Sequence, residues 1–119
     1  MRNTGIRGAI TVTANTKDAI LEGTRELLQS IIDANGISED DVAFALFTTS
    51  PDLNAEFPAV AARQMGWNHA ALMCGHEMNV PGSLQKCVRI LVSWNTEKKP
   101  AEIRHIYLKG AKALRTDIP

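Results

Sequence analysis

Cysteine is scarce: Cys74 and Cys87 are the only two in a chain of 119 residues. That is too few for a disulfide framework, and a reducing cytoplasm is the expected location. Aromatic residues make up only 5%, so aliphatic side chains must fill the core. The same shortage removes the stacking platforms that single-stranded nucleic acid needs. Charge of one sign is not in excess. Thirteen Lys and Arg balance thirteen Asp and Glu, leaving no overall field to attract nucleic acid or anionic lipid. No apolar run reaches the ~18–20 residues of a membrane span. No apolar segment follows the Met1-Arg2-Asn3-Thr4-Gly5 start, as it would in a secretory signal. Common catalytic signatures are missing: G-x-S-x-G, H-E-x-x-H, a P-loop and C-x-x-C. Cys74-Gly75-His76 with Cys87 offers three candidate zinc ligands, at a spacing that fits no common zinc pattern. The simpler reading of Cys87 is a small buried apolar residue.

What is present reads as one α/β domain, with no repeat or linker to divide it. Ile6 to Val12 alternates with period two and predicts a strand, with Ile6, Gly8, Ile10 and Val12 on one side and Arg7, Ala9 and Thr11 on the other. Asn15 and Thr16 are candidate caps for a helix whose stripe is Ile20, Leu21, Leu27, Leu28, Ile31 and Ile32. Asn35-Gly36 stops it, since both residues tolerate the left-handed conformation. Val42 to Thr48 is a nearly continuous apolar run and predicts a strand covered on both faces. Phe57 to Met65 predicts a shorter helix, Ala70 to Met73 a third strand, and His76 to Ser83 a loop. Val88 to Trp94 predicts a strand with Arg89 and Leu91 on one face. Ile103 to Leu108 predicts the last strand, and Lys109 to Arg115 a short terminal helix. This order gives an α/β (α+β) sandwich with a single mixed sheet. Two helices cover only part of such a sheet, so the uncovered side is expected to meet another subunit.

Four arginines stand out: Arg7 and Arg89 in strands, Arg63 on a helix, and Arg115 after the last strand. A cation within an apolar strand must face solvent, an acidic partner or an anionic ligand. Spacing does not choose among these. It allows a pocket for a small polycarboxylate, because guanidinium forks match carboxylates.

Several segments, in order, resemble one family. They are Gly5-Ile6-Arg7-Gly8-Ala9-Ile10-Thr11-Val12, Thr49-Ser50-Pro51-Asp52-Leu53 with Phe57-Pro58-Ala59 and Ala62-Arg63, Cys74 with Glu77-Met78 and Val80, Pro81-Gly82-Ser83-Leu84 with Cys87-Val88-Arg89, and Ile103-Arg104-His105-Ile106-Tyr107-Leu108 with Ala111 and Leu114-Arg115. Together they resemble the monofunctional chorismate mutases of the Bacillus type. The resemblance implies helices on one side of the sheet and a homotrimer whose three sheets form a pseudo α/β barrel, with sites in the clefts between subunits. It implies the rearrangement of chorismate to prephenate without cofactor or metal. It assigns Arg89, Glu77 and Arg7 as catalytic, and Tyr107, Cys74, Phe57, Arg63, Leu114 and Arg115 as substrate-binding. Arg7, Cys74, Glu77, Arg89 and Tyr107 are expected from one chain, Phe57 and Arg63 from its neighbour. Val60 departs from relatives that carry a charge there, and Thr116 stands where the family commonly has proline. The alternative is a trimeric module that binds a small carboxylate without turnover. A sensor of that kind needs the arginines but has no evident use for Glu77.

Overall fold

The long helix α1, Lys17–Asn35, shows how the chain organises itself. Thr16 is its N-cap, accepting from the Ala19 N–H at 3.1 Å, which satisfies a donor the first turn leaves open. Asn15, the other candidate, does different work and bonds to Asn54. Gly36 closes the helix with φ 72° and its N–H returns to Ile32 O, the left-handed stop that Asn35-Gly36 predicts. Ile20, Leu27, Leu28 and Ile31 are fully buried, each such side chain contributing about 1.5–3 kcal/mol.

The computed structural model describes residues 1–114. The strands are β1 (Arg2–Thr11), β2 (Val42–Thr49), β3 (Ala71–His76), β4 (Cys87–Thr96) and β5 (Ile106–Leu108). A short helix α2, Ala59–Gln64, lies between β2 and β3. The five strands form one mixed sheet in the order β3-β2-β4-β1-β5. β4 runs antiparallel to β1 and β2; β3 is parallel to β2 and β5 to β1. A Cβ placed on Gly8 would meet Ile31 Cδ1 at 2.8 Å and Leu27 Cδ1 at 3.1 Å. The Ile6-Gly8-Ile10 side of β1 is therefore the side that α1 covers.

The other face is open in the single chain. Phe44 is 45% exposed, Met73 69% and Leu91 38%. The expectation that β2 is covered on both faces is thus corrected. Ala45, Phe47 and Thr49 lie under the helices, whereas Phe44, Leu46 and Thr48 point the other way. An apolar run shows that both faces are apolar, not that both are covered.

Other boundaries also move. β3 continues to His76, where a loop was expected, because its parallel pairing with β2 runs on to Thr49↔His76. β5 starts at Ile106 rather than Ile103. Before it, Asn35 Oδ1 accepts from Arg104 N at 2.9 Å and His105 Nδ1 accepts from Arg7 N at 3.0 Å. Side chains, not a strand ladder, hold that backbone. The terminal helix is a 3-10 segment, Lys109–Leu114, entered through Lys109 at φ 54°.

Candidate active site

Strand parity decides which side chains meet on the open face. Register pairs place Tyr107 beside Ala9, Ala9 beside Arg89, Arg89 beside Thr48, and Thr48 beside Gly75, in one row across all five strands. Arg7 pairs with Leu91 in the next row. Glu77 lies just beyond β3, its N–H donating to Thr49 O at 2.7 Å, so the ladder carries it to the same face as Gly75. Arg7, Arg89, Glu77 and Tyr107 therefore line one cleft of about 220 Å³, with Leu46, Thr48 and Leu91. Two of its lining residues are cations on an otherwise largely apolar sheet face.

Arg89 is one of the two cations that line the cleft. Its Nε is buried and has no hydrogen-bond partner among the described residues. A buried donor left unpaired costs about 1–3 kcal/mol unless something arrives to accept from it. Behind it lies Cys87, packed with Ala9 and Ala111 in a small cluster that Leu84, Tyr107 and Leu114 flank. Burial pushes the Cys87 thiol up from its ordinary range; the nearby Arg89 charge offsets part of this, while Glu77 and Asp52 add to it. The loop that returns to Arg89 is also fixed. Asp52 Oδ2 accepts from Lys86 N at 3.0 Å, and Lys86 takes φ 52° just before β4.

A second cleft, of about 360 Å³, lies at the β3 edge of the sheet, lined by Phe57, Pro58, Cys74, His76, Leu53 and Asn54 among others. Phe57 is 68% exposed there. Its loop is strapped down by Asn15, whose Oδ1 accepts from both Asn54 N and Ala55 N at 3.0 Å. Cys74 pairs with Phe47 on the helix-covered face and touches the main core. Burial raises its thiol pKa, against smaller opposing effects of the Ala59 N–H and the Arg63 charge. Arg63 itself is exposed on α2.

The family model for chorismate mutase type I matches residues 3–118. The chain belongs to the type I chorismate mutases. A chorismate mutase AroH of Thermus thermophilus is 47% identical over 115 residues, covering 96% of this chain and 94% of that protein. One of Bacillus subtilis is 42% identical over 115 residues, covering 96% and 91%. The solved chorismate mutase from Clostridium thermocellum has a TM-score of 0.91 at 50% identity, covering 92% of this chain and 98% of that one. Membership brings the isomerase activity for which the family is named.

Against that family background, one chain divides the expected residues into two groups. Arg7, Glu77, Arg89 and Tyr107 share the open-face cleft, and Leu114, like Tyr107, packs against the Ala9, Cys87 and Ala111 cluster. Phe57 and Cys74 share the edge cleft, with Arg63 near Cys74. Cys74 thus parts from the group in which it was expected, because it stands one residue out of phase with Gly75 and Glu77 along β3. It also lies across the sheet from Cys87, so the two thiols do not converge as zinc ligands. Arg115 lies outside the described residues. Thr48 went unnoticed in the sequence, since a threonine within an apolar strand is an ordinary strand former. Its pairing with Arg89 and its bond to Glu77 exist only in the folded register.

Proposed function

We propose that the chain rearranges chorismate to prephenate in a cleft completed by a neighbouring copy, within a cytoplasmic homotrimer. The observation that carries this reading is the Arg89 Nε, which has no partner among the described residues and is held on the open face beside Arg7, Glu77 and Tyr107. Chorismate has two carboxylates, a ring hydroxyl and an enol ether. Its rearrangement breaks the ether C–O bond as a C–C bond forms within the same molecule. No proton need move, and nothing leaves. The protein's work is to hold the compact chair-like conformer and to stabilise charge that grows as the C–O bond stretches.

Arg89 donates to the ether oxygen, where negative charge develops. Glu77 accepts from the ring hydroxyl and faces positive charge building on the ring. Arg7 and Tyr107 hold carboxylate and hydroxyl groups. The edge-cleft group, Phe57, Cys74 and Arg63, comes from the neighbouring chain, with Arg115 near the mouth. Phe57 packs on the substrate skeleton, and Cys74 gives a weak polar contact. Exposed Phe44, Met73 and Leu91 support a shared interface, since they otherwise leave an apolar sheet face in water. Three such sheets facing one another give the pseudo α/β barrel. The reaction as written uses no cofactor or metal.

The test is the loss of chorismate absorbance with purified protein in the presence of a chelator. The reading predicts turnover, a flat rate across neutral pH and a negligible solvent deuterium effect. Chorismate binding without turnover would replace it with the carboxylate-binding module. A bell-shaped profile with a large isotope effect on the chemical step would replace the mechanism.

A further inference from the structure

Glu77 sits at the end of a strand, and a carboxylate on a flexible stem needs something to aim it. Gly75 and Glu77 share one face of the β3 extension, and Gly75 lies directly across from Thr48. A Cβ at Gly75 would meet nothing within 4 Å. Glu77 thus folds back toward β2 without passing over Gly75. There the Thr48 hydroxyl donates to Glu77 Oε2. The direction is forced, because an ionised carboxylate only accepts. On its other side Thr48 is paired with Arg89. Thr48, half-buried, therefore bonds to Glu77 on a strand held on both sides, next to the strand that carries Arg89.

We infer that Thr48 is a positioning residue for the rearrangement: it ties down one oxygen of Glu77 and leaves the other free to accept from the substrate's ring hydroxyl. The inference rests on the reading of Glu77 as a substrate-facing group. Removing the tie frees the Glu77 rotamers, and the carboxylate is then misplaced in a reaction that depends on position.

The experiment compares Thr48→Val, Thr48→Ser, Glu77→Ala and the Thr48→Val/Glu77→Ala double variant, by kcat, KM and thermal unfolding. Thr48→Val keeps the shape and removes the hydroxyl; a lost hydrogen bond to a charged group predicts about a ten-fold fall in kcat. KM should move less, because alignment matters most in the transition state. Thr48→Ser restores the donor and should recover most of the rate. With Glu77 already alanine, the valine should cost less than about two-fold more, since the pair acts as a unit. If Glu77→Ala is crippled while Thr48→Val keeps its kcat, Thr48 has no positioning role, yet Glu77 keeps its own. Equal losses from the valine in both backgrounds would mean that Thr48 acts elsewhere, and the inference fails. A Glu77→Ala enzyme at the parent rate removes the role of Glu77, and with it that of Thr48. A fall in melting temperature with kcat unchanged would make Thr48 a structural residue only.

Discussion

Replacing Arg89 with methionine should move activity and stability in opposite directions. The Arg89 side chain is half-buried between its row neighbours Ala9 and Thr48, and its Nε has no partner among the described residues. In the single chain an unpaired buried donor of this kind costs about 1–3 kcal/mol. Methionine fills much of the same space with no donor, so the substrate-free protein should be no less stable. For a chain of this size each kcal/mol recovered raises the melting temperature by about 4 °C. Catalysis should suffer as stability gains. Loss of one donor to a developing oxyanion costs ~10²–10³-fold, or about 2.7–4 kcal/mol, and the formal charge of arginine places the loss at the upper end or beyond. The fall should lie in kcat, since the ether oxygen gains its charge only in the transition state. Chorismate decay gives the rate, and a thermal melt without substrate gives the stability. Turnover within a few-fold of the parent would remove Arg89 from the mechanism. A lower melting temperature would show that the argument from its unpaired donor is wrong, and that part of the lost activity is lost fold.

Three further outcomes follow from the packing and the charges. In Gly23→Ala the new Cβ would lie 2.5 Å from Val12 Cγ1. Overpacking at about 1–3 kcal/mol outweighs the ~1 kcal/mol gain in helix propensity, so a melt should show a net loss, and a gain would refute the estimate of fit. Asp52 is held below the usual aspartate range: burial pushes its pKa up, but hydrogen bonds from Ser50, Lys86 N and its own N–H, with the Lys86 charge, outweigh that. Its contribution is therefore present above the ordinary aspartate pKa and lost as pH falls through the lowered value. Asp52→Asn should flatten the acid limb of the stability curve, and an unchanged limb would contradict this. Burial keeps both thiols protonated at neutral pH; alkylation should be slow at Cys74 and slower at fully buried Cys87, and rapid loss of both would contradict it.

Local chemistry made much of this fold legible. α1 could be read from its caps and stripe because Thr16, Gly36 and the isoleucines and leucines act within a few residues of one another. The alternation in β1 and β4 likewise separated Arg7 and Arg89 from the core side. What sequence could not give was set by distant partners. The end of β5 nearer Ile103 is held by Asn35 and Arg7, far away in the chain. The phase of Cys74 depends on where β3 starts to pair, and a shift of one residue reverses its face. The open side of β2 reads as buried because an exposed apolar face has the same composition as a covered one. The central set, Arg7, Glu77, Arg89 and Tyr107, came from family resemblance rather than from spacing, and the fold brings those four to one cleft.

In the proposed trimer each working site joins the open-face group of one chain to the edge group of the next. Arg89→Met damages the first group, and Phe57→Ala with Arg63→Ala damages the second. Each variant alone leaves every cleft damaged. Unfolding an equal mixture and refolding it together draws each half at random, so about a quarter of the clefts in closed trimers receive two intact halves. Chorismate turnover should rise from near nothing to roughly a quarter of the parent value, with equal assembly of both variants. Verified mixed trimers that stay inactive, formed from two inactive parents, would place the whole site within one chain and contradict it.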